Sequence, residues 1–225
     1  MMMNLFSIFD PSSSMMSWYN INWSSTLLSL ILIPSSFWMI MSRKKMLFTK
    51  LMNKINKEIK ILTGYNKMNC TLMFASLFIF ILINNFMGLF PYIFTSTSHL
   101  TISLTLSMNL WLMNMFFGWM KNTNHMFIHL VPQNTPSLLM PFMVMIESIS
   151  NFIRPMTLAV RLTANIIAGH LLMTLMSEMG NKISVFLSMI LIITQMSLLT
   201  LEYAVSIIQA YVFMTLITLY SSEVK

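Results

Sequence analysis

The sequence predicts an all-α membrane protein with about five membrane helices and one amphipathic helix at the membrane surface. Only 8% of its 225 residues are charged and 56% are hydrophobic, whereas about a quarter of the residues in a soluble domain are charged. The mean hydropathy is +0.74. Apolar stretches long enough to span about 30 Å of hydrocarbon recur along the chain. We therefore expect residues 1–225 to form a single integral membrane domain.

The positive charge is concentrated beside the apolar stretches. The net charge is +7, and eight of the thirteen Lys and Arg residues lie between Arg43 and Lys67. Basic residues next to membrane spans mark the positive side of the membrane and bind anionic lipid. The distribution therefore argues against a nucleic-acid partner.

The elements follow in order along the chain. An N-terminal segment without a signal- or transit-peptide pattern occupies residues 1–22. Pro34 is expected to kink the first span. The predicted elements after the N-terminal segment are span 1 over 23–41, an amphipathic helix over 43–67, span 2 over 70–90, span 3 over 97–120, and two long helices over 136–176 and 182–221.

The amphipathic helix is predicted from its spacing. Apolar side chains recur on one helical face and four lysines lie elsewhere, which is typical of a helix in the interface plane. The apolar set is Phe48, Leu51, Met52, Ile55, Ile59 and Leu62, and the lysines are Lys50, Lys54, Lys57 and Lys60. Such a helix serves as a topological anchor or as a docking surface for a partner subunit.

The segment after span 3 is predicted to be irregular. His125 and His129 are four residues apart there, a spacing that metal ligands can have. No cysteine or carboxylate accompanies them, so we expect neither a metal nor a cofactor.

Two apolar runs of about forty residues follow. A helix of that length is about 60 Å long, about twice the hydrocarbon thickness. Each run is either two short spans or one strongly tilted helix. Because no polar loop interrupts them, we favour two tilted helices joined by a turn over 177–182, with a kink at Pro155. Five spans place Lys121, Lys225 and the basic 43–67 segment on one side, and the N-terminus on the other.

Both long runs carry polar residues at seven-residue intervals. Glu147, Arg154 and Arg161 are seven apart, and Asn165 follows four later, so these four share a face; His170 lies roughly opposite. The second run repeats the interval at Ser188, Gln195, Glu202 and Gln209. Amides alone would indicate a hydrogen-bonded helix contact.

Ionisable groups at membrane depth indicate function instead, since an Arg at a helix centre costs about 2.5–3.5 kcal/mol. Glu and His titrate and relay protons, whereas Arg stays charged, blocks a proton and lowers the pKa of a nearby acid. The pattern therefore indicates a proton path with a fixed positive plug. An ion pore would need rings of carbonyls or carboxylates, and a haem carrier would need histidine pairs on facing helices.

Four ordered motifs carry a specific resemblance that covers essentially the whole chain. They are NNFMGLFPYIFT from Asn84, MIESISNFIRP from Met145, LAVRLTANIIAGHLL from Leu158 and LEYAVSIIQAYVF from Leu201. Together they closely resemble subunit a of the F-type ATP synthases in its mitochondrial form. That resemblance implies a non-catalytic stator subunit that forms two proton half-channels against a rotating c-ring.

The resemblance also implies roles for individual residues. Arg161 would face the ring carboxylate and separate the half-channels. His170 and Glu202, with Asn165 and Gln209 as polar neighbours, would form the intermembrane-space half-channel. Glu147 would belong to the matrix half-channel, and Glu223 would be a terminal acid, although SSEVK departs from the family's usual ending. Arg154, at a position often uncharged in relatives, is assigned a structural or lipid head-group role.

The implied setting is the mitochondrial inner membrane, with the N-terminus in the intermembrane space and the C-terminus in the matrix. The implied partners are the c-ring, peripheral-stalk and other small membrane subunits, and lipid, plausibly cardiolipin. A structural subunit of another respiratory complex is the alternative, but it would need cofactor or quinone motifs. A secondary transporter would need repeats with discontinuous helices.

Overall fold

The structure is a computed structural model that describes residues 6, 9–12, 21–34, 40–64, 68–90, 92–131, 136, 139–180 and 184–223. Its regular elements are helices throughout these ranges, which confirms the predicted all-α class. The α-helices are α1 (Ser25–Ile31), α2 (Arg43–Thr63), α3 (Met68–Gly88), α4 (Leu100–Lys121), α5 (Thr123–Leu130), α6 (Met140–Gly180) and α7 (Val185–Glu223). Short 3-10 helices cover Ile21–Ser24 and Ser96–Ser98.

Four of the described helices are long and apolar enough to cross a membrane, namely α3, α4, α6 and α7. The helix in predicted span 1 is shorter than expected, because α1 ends at Ile31. Pro34 follows, and proline removes an amide donor and disfavours helical geometry in the residue before it. Residues 35–39 lie outside the described ranges, so a span over 23–41 stays a prediction.

Helix α2 begins where Ser42 accepts a hydrogen bond from the Lys45 amide. It ends at Gly64, whose φ of 75° suits a residue without a Cβ. Residues 65–67 of the predicted helix lie outside the described part. Ile59 is fully buried, with Met52 and Ile55 packed beside the core, but Leu51, predicted on the same face, is 60% exposed. The helix therefore packs edgewise on the bundle, against α3 and α7.

The long runs are each a single helix. The interpretation of each run as two short spans is wrong, because α6 is continuous over 41 residues and α7 over 39. Pro155 lies inside α6, as predicted. The predicted turn over 177–182 is also too long, since α6 continues to Gly180. No proline occurs in this stretch, and leucine and methionine favour a helix, so nothing ends the helix earlier.

The segment predicted to be irregular contains α5, from Thr123 to Leu130. The prediction of an irregular segment is therefore wrong over these residues. Trp119 of α4 instead packs edge-on against Phe127 of α5, with ring centroids 5.0 Å apart. That tertiary contact stabilises a helix of eight residues, which would be marginal alone. The side chain of His129 lies outside the described residues.

The core forms where α3 meets α7 and α4 meets α6, with α6 also contacting α7. Its largest buried side chains come from α2, α3, α6 and α7, and they are Ile59, Ile81, Leu162, Phe213 and Met214. Much of the remaining apolar surface is exposed, as contact with lipid requires. One side of the bundle contains α2 and α5, the ends of α4 and α7, and the starts of α3 and α6.

Candidate functional site

The guanidinium of Arg161 has no ion-pair or hydrogen-bond partner within the described part of the chain. Its side chain is exposed, although it lies in the middle of an apolar 41-residue helix. The same exposed face carries the small residues Ala164 and Ala168, three and seven positions later. On the opposite face, Leu158, Ala159, Leu162 and Thr163 are buried in the bundle. Arg161 is therefore held facing outward by the packing of the residues around it.

Asn165 lies one turn after Arg161 and connects α6 to α7. Its Nδ2 donates a hydrogen bond of 3.1 Å to Oε1 of Gln209. Gln209 is 6% exposed whereas Asn165 is exposed, so this amide pair is a polar bridge that runs from the outer face of α6 into the contact between the two long helices. The structure thus brings together two of the residues that the sequence singled out.

Replacing Gln209 with Leu should weaken the contact between α6 and α7 by about 0.6–1.5 kcal/mol. A double-mutant cycle with Asn165→Leu measures this coupling, using the detergent-induced unfolding of the protein. The exposed Ile207→Leu is the control, and it should leave the unfolding unchanged. A coupling energy of zero would show that the hydrogen bond contributes nothing to the contact.

Glu202 of α7 packs against Gly169, the residue that precedes His170 on α6. A Cβ added to Gly169 would lie 2.8 Å from Oε1 and 2.9 Å from Cδ of Glu202. The carboxylate therefore rests directly on the α6 backbone, in space that only a glycine leaves open. Among the described residues, Oε1 of Glu202 and Nε2 of His170 are both buried without a hydrogen-bond partner. Each of these two titratable groups thus has a buried polar atom that the described residues leave unsatisfied.

The surroundings of His170 include groups from three other segments. The Gly88 backbone at the end of α3 lies near the ring, and Phe9 packs edge-on against it with centroids 6.2 Å apart. Gly88 in turn contacts Thr95, because an added Cβ would lie 3.0 Å from the Thr95 Cγ2. His170 therefore lies where the N-terminal segment, the end of α3 and the following loop meet α6.

A buried polar group beside this region was missed in the sequence. Its members are Asn84, Asn85, Thr95, Ser96, Thr97 and Ser98, each at most 6% exposed. Asn84 Nδ2, both amide atoms of Asn85 and Thr97 Oγ1 have no partner among the described residues. Buried polar atoms are normally satisfied by protein or water. The sequence shows these polar residues as the runs NN and TSTS. It does not show that they are buried, because their burial depends on the packing of the Ser96–Ser98 turn against α6.

Glu147 is separated from these groups and pairs with Arg154. The Arg154 Nη2 and Glu147 Oε1 atoms are 3.9 Å apart, and both side chains are 34% exposed. The Arg154 guanidinium also lies over the Tyr220 ring, 5.4 Å from its centroid. The predicted shared face of Glu147, Arg154, Arg161 and Asn165 thus carries two different environments. Glu147 and Arg154 pair with each other and Arg154 contacts α7, whereas Arg161 is exposed.

Glu223 ends α7, but its side chain lies outside the described residues, so its predicted role stays a prediction. Among the described residues, no three His, Cys, Asp or Glu side chains are grouped closely enough to hold a metal ion. The site therefore consists of an outward-facing guanidinium with separate groups of titratable residues on either side of it along α6.

Comparison with known proteins agrees with these motifs. The profile described as ATP synthase A chain matches residues 15–222. The chain is 58% identical over 228 residues to ATP synthase subunit a of Aedes aegypti, and 56% identical over 226 residues to that of Drosophila melanogaster. It is 56% identical over 225 residues to the subunit of Locusta migratoria, and every one of these alignments covers 100% of both chains. This chain belongs to the ATP synthase A chain family.

Proposed function

We propose that this chain is the proton-translocating stator subunit of the mitochondrial ATP synthase. The observation that carries the proposal is the exposed, unpartnered Arg161 in the middle of an apolar helix. A permanent charge at that depth is costly unless an opposite charge faces it. A carboxylate on a neighbouring rotating c-ring supplies that charge. The exposed Ala164 and Ala168 beside Arg161 allow a ring helix to approach closely.

The half-channel open to the intermembrane space is formed by Glu202 and His170, with Asn165 and Gln209 as polar neighbours. Burial of Glu202 Oε1 and His170 Nε2 without partners supports this role, because such atoms need water or a transferred proton. The unpartnered amides of Asn84 and Asn85 extend the polar surface towards the loop after α3. Ordered water between these groups carries protons inward.

The half-channel open to the matrix contains Glu147 near the start of α6 and Glu223 at the end of α7. A ring carboxylate that is protonated from the intermembrane-space side becomes neutral and can rotate through lipid at a tolerable cost. It then loses its proton towards Glu147. Arg161 keeps the arriving carboxylate ionised and prevents protons from passing directly between the half-channels. Each elementary charge that crosses yields about 2.3 kcal/mol per 100 mV.

The chain supplies this path and catalyses no bond-making step itself. The basic face of α2 lies on the matrix side, as the positive-side bias of membrane proteins indicates. That assignment places the N-terminus in the intermembrane space and the C-terminus in the matrix. Lys50, Lys54 and Lys57 are exposed on α2, where they can contact anionic lipid such as cardiolipin or a peripheral-stalk subunit.

A crosslinking experiment tests the position of the ring. In the assembled complex with Cys70→Ala, a cysteine at Ala168 should form a disulfide with a cysteine on the outward helix of a c subunit. The control is Leu72→Cys on α3, which is 76% exposed but lies on another helix. It should not crosslink. Equal crosslinking from both positions, or none from Ala168→Cys, would contradict the proposed ring contact.

A further inference from the structure

A cavity of about 300 Å³ lies beside the Glu147–Arg154 pair, between α4, α5, α6 and α7. Its wall combines aromatic rings with polar groups, and it includes Trp111, Asn114, Trp119, Glu147, Arg154 and Tyr220. The volume is sufficient for several water molecules. Two opposite charges therefore share a space that water can occupy, on the side of the bundle where α4 and α7 end.

Arg154 is held from two directions. Glu147 lies two helical turns earlier on the same helix, so each side chain must lean along α6 to bring Nη2 within 3.9 Å of Oε1. Tyr220 comes from α7 and lies 5.4 Å from the guanidinium carbon. An aromatic face attracts a cation at this distance. The ring therefore fixes the guanidinium on the side of α6 where the Glu147 carboxylate lies.

The pair is too loose to be explained as a stabilising salt bridge. Strong charge-assisted hydrogen bonds join nitrogen and oxygen at about 2.7–2.9 Å, whereas this separation is 3.9 Å. Both side chains are also a third exposed, and pairs in that situation contribute little to stability. At that distance the guanidinium attracts and orients the carboxylate without a close hydrogen bond that would occupy its oxygen, so the Glu147 oxygen remains open to accept a proton.

Pro155 follows Arg154 and lies inside α6. Proline has no amide hydrogen, so the carbonyl of Asn151 cannot receive the usual helical hydrogen bond from residue 155. Asn151 also lines the cavity. The carbonyl that lacks this bond therefore belongs to a residue of the cavity wall, where a water molecule can satisfy it.

We propose that Arg154 is a positioning residue for proton release through Glu147, with Tyr220 fixing the guanidinium. This inference rests on the proposed function. The proton passes from the ring carboxylic acid, through water, to the Glu147 carboxylate, and from there to matrix water. Arg154 keeps its own proton throughout. Its effect is to hold the Glu147 carboxylate directed into the cavity between successive transfers.

Proton flux through the reconstituted complete complex tests this assignment, normalised to the amount of assembled subunit. Glu147→Gln and Arg154→Gln should each lower the flux, the second by about tenfold, since misplacing a reacting group by 1 Å costs up to about 100-fold. Arg154→Lys keeps a positive charge that an aromatic face still attracts, and its flux should be higher than that of Arg154→Gln. The double variant should be no slower than Glu147→Gln alone, because Arg154 acts only through Glu147.

Lys121→Gln is the matched control. It removes one positive charge from an exposed residue at the end of α4 and should leave the flux unchanged. Wild-type flux in Arg154→Gln would overturn the inference, as would a double variant whose loss is the product of the two single losses. If Arg154→Gln does not assemble, Tyr220→Leu is the test variant. Lower flux in that variant supports the proposed role of Tyr220 in fixing the guanidinium, and unchanged flux overturns the inference. Wild-type flux in Glu147→Gln would instead contradict the proposed role of Glu147.

Discussion

Arg161→Ala should abolish ATP synthesis while the complex still assembles. Removing a preorganised charge from a reaction site costs about 100–1,000-fold in rate, and here the charge also separates the two half-channels. Without it, the ring carboxylate can keep its proton while it passes α6, and protons can cross without turning the ring. ATP synthesis in reconstituted vesicles should therefore fall by at least about 100-fold. Passive proton leak should rise.

The control for Arg161→Ala is Val160→Ala. Val160 precedes Arg161 on α6, and its side chain is 50% exposed. That variant should retain ATP synthesis and a tight membrane. Since Arg161 has no intrachain partner in the described ranges, its removal should not destabilise the folded subunit. ATP synthesis at the wild-type rate in Arg161→Ala would show that the proposed plug does not exist. Loss of the assembled subunit would show that Arg161 is structural.

Gly169→Ala should slow proton uptake from the intermembrane-space side by between about 10- and 100-fold. The new methyl carbon would lie 2.8 Å from Oε1 and 2.9 Å from Cδ of Glu202. Contacts this short are not tolerated, so the carboxylate must move away from the α6 backbone and from the neighbouring His170. ATP-driven proton pumping and ATP synthesis, both measured in vesicles, report the loss.

Two further variants separate this effect from a change in helix stability. Gly180→Ala makes the same substitution where an added Cβ meets nothing within 4 Å, and it should leave transport unchanged. Adding Glu202→Asp to Gly169→Ala shortens the acid by one methylene, which removes the clash and should restore part of the rate. Full activity in Gly169→Ala would show that the close approach of Glu202 to α6 has no role in transport.

The class and the order of the long elements could be predicted because hydrophobicity and length decide them. The absence of polar loops in the two apolar runs favours single helices over pairs of short spans, and α6 and α7 are single helices. The short helices were harder to predict from the sequence. Helix α5 depends on the contact between Trp119 and Phe127, and the end of α1 depends on how strongly Pro34 competes with an otherwise helical sequence.

The sequence names individual candidate residues for the site but does not give their arrangement. Helical angles place Glu147, Arg154 and Arg161 on one face, but such angles take no account of side-chain length or of neighbouring helices. Tyr220 lies 66 residues after Arg154 in the sequence, and its ring lies over the guanidinium. Likewise, the angles place His170 roughly opposite Arg161, and only the structure shows that its ring packs against Phe9.

The length of α6 bears on how far apart Glu147 and Arg161 lie, both in membrane depth and parallel to the membrane. All 41 of its residues form an apolar candidate span. A straight helix about 60 Å long that lay wholly within a layer about 30 Å thick would lie about 60° from the normal of that layer. Glu147 and Arg161 are fourteen residues apart, about 21 Å along the axis, which at that tilt is about 10 Å in depth and about 18 Å parallel to the membrane. In the proposed mechanism, a carboxylate on the ring would therefore travel along the circumference between the two residues, and the direction of that step would set the sense of rotation.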